Sequence, residues 1–174
     1  QNPASATDMY NIAVGYGTAA QITTGVQNTI MGGLAGDSLT TANYNVAVGY
    51  AALTTDTQGS RSTAVGTNAL NAQNFSSATN SNNTAIGNNT GESITTGADN
   101  TLVGAFAGDA LTDADFNVAL GLGSLGTDTQ GSRSTALGYA ALFSQNHTSA
   151  TNSNNTAGGY NAGTSLTTGT ANTL

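Results

Sequence analysis

Hydrophobic and polar residues alternate along this chain in short bursts, and each burst ends in glycine, as in Asn11-Ile-Ala-Val-Gly15, Asn45-Val-Ala-Val-Gly49 and Asn117-Val-Ala-Leu-Gly121. Alternation with period two predicts a short extended segment. Asn11, Ala13 and Gly15 fall on one side, with Ile12, Val14 and Tyr16 on the other. The pairs Val46/Val48, Thr84/Ile86, Thr101/Val103, Val118/Leu120 and Thr135/Leu137 repeat the pattern, giving a strand with a β-branched or apolar face. A second apolar stretch follows, as in Ala52-Leu53, Ala69-Leu70, Ala107-Gly108 and Ala141-Leu142. Then comes Ile/Leu-Thr-Thr-Gly, at Ile22 to Gly25, Ile94 to Gly97 and Leu166 to Gly169, which predicts another strand ending in a turn.

The bursts are periodic. The motif Asn-x-Ala-x-Gly begins at Asn11, Asn28, Asn45, Ser62, Asn83, Asn100, Asn117, Ser134, Asn155 and Asn172, with spacings of 17, 17, 17, 21, 17, 17, 17, 21 and 17 residues. Four rungs make a super-repeat of 72, and residues 11–82 match residues 83–154 at about 43 positions. Gln1 to Thr7 align with Gln73 to Thr79 and with Gln145 to Thr151. The chain is therefore expected to be one continuous repeat segment, divided 1–72, 73–144 and a partial 145–174, of a longer fibre.

Two short strands and two turns cannot be stable alone, but stacked at about 4.8 Å per rung they form parallel ladders. The expected fold is all-β: a parallel β-solenoid of about ten rungs, roughly 45 Å long. Glycine stands fifth in every complete rung, at Gly15, Gly32, Gly49, Gly66, Gly87, Gly104, Gly121, Gly138 and Gly159. Such a position is a corner with positive φ, or a place where another backbone comes close. Asn11, Asn28, Asn45, Asn83, Asn100, Asn117, Asn155 and Asn172 would form a ladder whose amides hydrogen-bond along the stack. A narrow core of Val, Ile, Leu and Ala buries little area, so self-association into a homotrimer or filament is expected.

Composition narrows the function classes. Of 174 residues only 6% are charged, against roughly 25% in ordinary soluble domains. A charge at a stacked position would repeat in every rung and repel itself, which explains the scarcity. The net charge is −7 with only two basic residues, Arg61 and Arg133, which argues against nucleic acid and anionic membrane surfaces as partners. No apolar run is long enough to insert in a membrane. Cysteine is absent, so disulfides and thiolate chemistry are excluded.

The strings Asn45-Val-Ala-Val-Gly49, Ser62-Thr-Ala-Val-Gly66 and Asn83-Thr-Ala-Ile-Gly87 resemble the repeats of YadA-type trimeric autotransporter adhesin heads. They are equally similar to the Asn-Thr-Ala-Ile-Gly and Leu-Thr-Thr-Gly-x-x-Asn repeats of phage tail fibres and other long microbial surface fibres. The resemblance covers essentially the whole chain. It implies a left-handed β-roll, three chains side by side, and a role in attachment. The period of 17 to 21, longer than the roughly 14 of those adhesin heads, favours a fibre shaft.

No catalytic constellation is visible, and the chain is expected not to be an enzyme. His147, the one histidine, aligns with Phe75 and Pro3 and is expected in a variable, exposed loop. The four extra residues of each long rung place Phe75 and His147 among Asn and Ser, a surface that could stack on and hydrogen-bond a cell-surface glycan. Asp109, Asp113 and Asp115 are the densest acids and the only candidate for a cofactor, a calcium ion; otherwise none is expected. Asp56 with Arg61, and Asp128 with Arg133, are candidate ion pairs between rungs or chains. A row of threonines, Thr23, Thr40, Thr57, Thr95, Thr112, Thr129 and Thr167, suits ladder pairing and is also the pattern of an ice-binding face. The expected function is a structural shaft of an extracellular or virion fibre attaching to a host or surface. The alternative is a carbohydrate- or ice-binding solenoid module on a bacterial cell surface.

Overall fold

A computed structural model describes residues 8–174. The alignment of residues 1–7 with a long rung lies outside the described residues. The fold is an all-β parallel solenoid, with no helix among the described residues. Nine strands form one sheet: β1 (Ile12–Val14), β2 (Thr29–Met31), β3 (Val46–Val48), β5 (Thr63–Val65), β7 (Thr84–Ile86), β8 (Thr101–Val103), β9 (Val118–Leu120), β11 (Thr135–Leu137) and β13 (Thr156–Gly158). Every pairing is parallel and joins equivalent motif positions, such as Ala47 with Ala64 and Ala64 with Ala85. The period written in the sequence is thus the register of the sheet. Thr156 continues it by a bridge to Thr173.

The second strand expected in every rung is not formed. Residues 23 and 24 are bends, and among the described residues two-residue ladders occur only beside the long rungs, where β4 (Gly59–Ser60) pairs with β6 (Thr79–Asn80) and β10 (Gly131–Ser132) with β12 (Thr151–Asn152). The reason lies in the backbone just after the sheet. The seventh and ninth residues of each rung are left-handed, as at Leu34 and Gly36, Ala51 and Leu53, and Asn68 and Leu70. Chain wound this way is not extended, yet it still bonds to its neighbours along the axis: Leu53 N–H donates to Ala69 O at 3.0 Å, and Ala51 N–H to Gly33 O at 3.0 Å. The ladder continues without strand geometry.

The orientation of the sheet also differs from the expected core of Val, Ile, Leu and Ala. The central strand residue points inward, and Ile30, Ala47, Ala64, Ala85, Leu102, Ala119, Ala136 and Ala157 are fully buried. The β-branched residues flanking it point outward. Larger core side chains come from the twelfth position, at Ile22, Leu39, Ile94 and Leu111, and from the ninth, at Leu53, Leu70, Leu125 and Leu142. The inner face of the sheet also holds the motif asparagine, and alanine is its usual companion; the larger Ile30 and Leu102 fit against the ninth-position glycines Gly36 and Gly108.

Candidate functional site

The motif asparagines bind in two directions. Asn28 Nδ2 donates to Ala42 O at 2.9 Å, joining the start of its rung to the end, while its Oδ1 accepts from Asn45 N–H at 2.9 Å in the next rung. Asn11, Asn45, Asn83, Asn100, Asn117 and Asn155 make the same pair of contacts. Six of these eight ladder asparagines, all but Asn11 and Asn172, are buried. Each links two rungs by hydrogen bonds that water does not compete for.

The column changes at Ser62 and Ser134, the starts of the long rungs, and so does the twelfth-position core column. There, Asp56 and Gln73 follow Ile22 and Leu39, and Asp128 and Gln145 follow Ile94 and Leu111. All four polar residues are fully buried. Asp56 Oδ1 accepts from Gly59 N–H at 2.9 Å and Phe75 N–H at 3.1 Å, and its Oδ2 accepts from Gln73 Nε2 at 2.6 Å. Gln73 Oε1 takes Asn83 Nδ2 at 2.9 Å, and Ser62 Oγ meets Ser81 Oγ at 2.6 Å. Serine in place of asparagine makes room for the glutamine, whose amide bridges the gap. Asp128, Gln145, Ser134, Ser153 and Asn155 repeat the network.

Three sequence expectations are corrected by this layer. Asp56 and Asp128 form no ion pair with Arg61 and Arg133, because both carboxylates are sealed in the core and spent on N–H donors. The arginines lie outside, 5.8 Å from the Tyr44 ring centre for Arg61 and 5.9 Å from that of Phe116 for Arg133. Phe75 and His147 are buried over the two aspartates, 7% and 5% exposed, and so offer no stacking face to a sugar. His147 is accordingly not an exposed loop residue. The clue in the sequence was the coincidence of Ser, Asp and Gln with the 21-residue spacing.

The remaining candidates are engaged locally. Asp115 Oδ1 accepts from Ala98 N–H at 2.8 Å and Asp113 Oδ1 from Thr112 Oγ1 at 2.6 Å. Among the described residues no group of three or more acids or histidines could share a metal ion. Along the threonine row, Thr23 Oγ1 donates to Thr40 O at 3.2 Å and Thr40 Oγ1 to Thr57 O at 2.9 Å, so these hydroxyl protons point along the axis. Burial lifts the Asp109 carboxyl above its usual range and the charge of Glu92 adds to this, against the backbone N–H groups of Asp109 and Ala110. A raised carboxyl contributes stability when protonated and loses it as pH rises through its range. Asp109→Asn is therefore expected to raise the melting temperature near pH 7, with the gain shrinking toward about pH 3; an equal gain at both would contradict the charge argument.

The outward face of the sheet is apolar and unpartnered among the described residues. Its fourth-position column reads Val14, Met31, Val48, Val65, Ile86, Val103, Leu120 and Leu137, interrupted at Gly158. Val14 is 54% exposed and Leu120 49%. Flanking columns add Tyr44, Val46 and Tyr50 on either side of Val48, and Phe116, Val118 and Leu122 on either side of Leu120. Tyr139 and Tyr160 stack on each other across adjacent rungs, their centres 5.1 Å apart. No protein-family model, curated protein or solved structure matches the chain.

Proposed function

We propose that the chain is a non-enzymatic structural shaft, a segment of an extracellular or virion fibre serving attachment, whose copies lie side by side, three to a fibre. The observation that supports this is the apolar column on the outside of a sheet already closed by its own core. A contiguous apolar column that is exposed or half-exposed along the length of a fold marks an interaction surface. The column rises one residue per rung, about 4.8 Å, and a surface that presents apolar groups with the same rise along the same length is another copy of this solenoid. No residue of the column is charged, so like charges do not face one another where the copies would meet.

Light scattering is expected to give three times the 17.1 kDa chain mass. Val48→Glu combined with Leu120→Glu puts carboxylates in the column on side chains that point away from the core. This variant is expected to run as a monomer with an unchanged strand signature in circular dichroism. A stable wild-type monomer, or assembly unaffected by both substitutions, would overturn the reading.

A further inference from the structure

The two buried polar layers differ at the residue covering the aspartate, which is Phe75 over Asp56 in one super-repeat and His147 over Asp128 in the next. Both backbones use the same bond, an N–H donated to the aspartate Oδ1. Phenylalanine buries its ring there without polar cost. Histidine does not: neither ring nitrogen has a hydrogen-bond partner among the described residues, and the side chain is 5% exposed. Leaving a buried polar group without a partner destabilises the fold. The imidazole Nδ1 nevertheless lies 3.6 Å from Asp128 Oδ2, just beyond hydrogen-bond reach.

We propose that His147 is an acid-operated latch on the second long rung. When the ring takes up a proton, Nδ1–H becomes a charged donor facing a carboxylate already held in place by Gly131 N–H, His147 N–H and Gln145 Nε2. A small movement of the ring closes the gap to a charge-assisted bond. The bond joins the seventh rung, which carries Asp128, to the eighth, which carries His147, beside the backbone bond from Gln130 N–H to His147 O at 2.9 Å. It would fix the stretch on either side of His147 that links β11 (Thr135–Leu137) to β12.

The surroundings leave this pair as the group that responds. In the rung below, Arg133 is turned outward over Phe116. In its own rung and the one above, the other titratable side chains are Tyr139 and Tyr160, both exposed and stacked together. Residues 134–174 contain no Asp, Glu, Lys or Arg. Burial disfavours a lone charged imidazole, but here the charge enters beside a carboxylate and leaves the pair neutral. The latch is closed in the folded rod alone, so it stabilises the rod while the ring carries its second proton and ceases to do so once that proton is lost.

The test compares the full chain with His147→Phe, which copies the residue found at 75 and so retains a native packing solution. Urea unfolding at about pH 5.5 and pH 8 is expected to show the wild type losing roughly tenfold in its folding equilibrium relative to the variant on going to the higher pH. Hydrogen exchange, corrected for intrinsic rates, should speed up around residues 144–152 at pH 8 in the wild type and stay unchanged in the variant. Phe75→His should import the same pH dependence into the first long rung. A wild-type-to-variant difference that is constant with pH would overturn the proposal.

Discussion

Gly49→Val and Gly121→Val are each expected to prevent the rod from forming, while Gly158→Val is tolerated. Gly49 has φ of +138° and Gly121 of +134°, backbone that valine adopts only at a cost of about 1–3 kcal/mol. Space is as restrictive as angle. A Cβ on Gly49 would stand 2.6 Å from the carbonyl carbon of Gly66, and one on Gly121 2.6 Å from that of Gly138. The obstructing atoms are backbone and cannot swing aside, since Gly66 N–H is bonded to Val48 O at 2.8 Å and Gly138 N–H to Leu120 O at 2.7 Å. Overpacking adds about 1–3 kcal/mol more. A column of glycines is the only way to stack these corners one rung apart. Gly158 makes the contrast: it ends β13, has no atom within 4 Å of an added Cβ, and occupies the outward column where other rungs carry Val, Met, Ile or Leu. Circular dichroism and urea titration of the three variants check this, and equal tolerance at all three sites would remove the corner assignment.

The glycine corner was legible because stacking applies the same steric demand to every rung, and only one residue satisfies it. The strand register followed for the same reason, through Asn-x-Ala-x-Gly. Other corners left no such mark. The residue just before each motif is left-handed throughout, yet it is Tyr10, Gln27, Tyr44, Arg61, Asn82, Asp99, Phe116, Arg133, Asn154 and Ala171 in turn. Hydrogen bonds to neighbouring rungs impose that conformation, as when Arg61 N–H donates to Asn43 O at 3.0 Å, and any side chain able to point outward is accepted. Which face of the strand lies inside was also hidden. Alternation separates Ala47 from Val46 and Val48 but does not assign the core, and hydrophobicity alone would choose the valines. The decisive constraint is geometric: Asn45, on the same face as Ala47, must reach Gly59 O at 2.9 Å across the rung interior. The buried polar layer escaped notice because Asp56 and Gln73 are 17 residues apart, and their kinship with Ile22 and Leu39 emerges only when the rungs are superposed.

That layer predicts strong coupling between Asp56 and Gln73. Gln73→Leu removes one donor from a fully buried carboxylate and leaves Asn83 Nδ2 with Gly97 O as its remaining partner, for an expected loss of about 2–3 kcal/mol. Asp56→Leu is costlier, about 3–5 kcal/mol, because it strands Gly59 N–H and Phe75 N–H and leaves the Gln73 amide only the serine hydroxyls, Ser62 Oγ at 3.0 Å and Ser81 Oγ at 3.4 Å. In the double variant the twelfth-position column becomes apolar from Ile22 through Leu111, and the mutual loss between aspartate and glutamine is counted once. The double variant should therefore be more stable than the sum of the single losses implies by about 1.5–3 kcal/mol. It should still fall short of the wild type, since the two backbone N–H groups remain unsatisfied. Ser62 and Ser81 keep each other as partners in every variant, and Ser81 keeps Ser60 O at 2.8 Å, so the cycle isolates the Asp–Gln contact. Urea midpoints of the four proteins measure the coupling, and Asp128 with Gln145 supply a second copy of the experiment. Additive losses at both copies would mean that the two rungs are held together by their backbone ladder alone. A coupling of the expected size would mean that each long rung recognises its neighbour through the core, which would fix where in the 72-residue period it can stack.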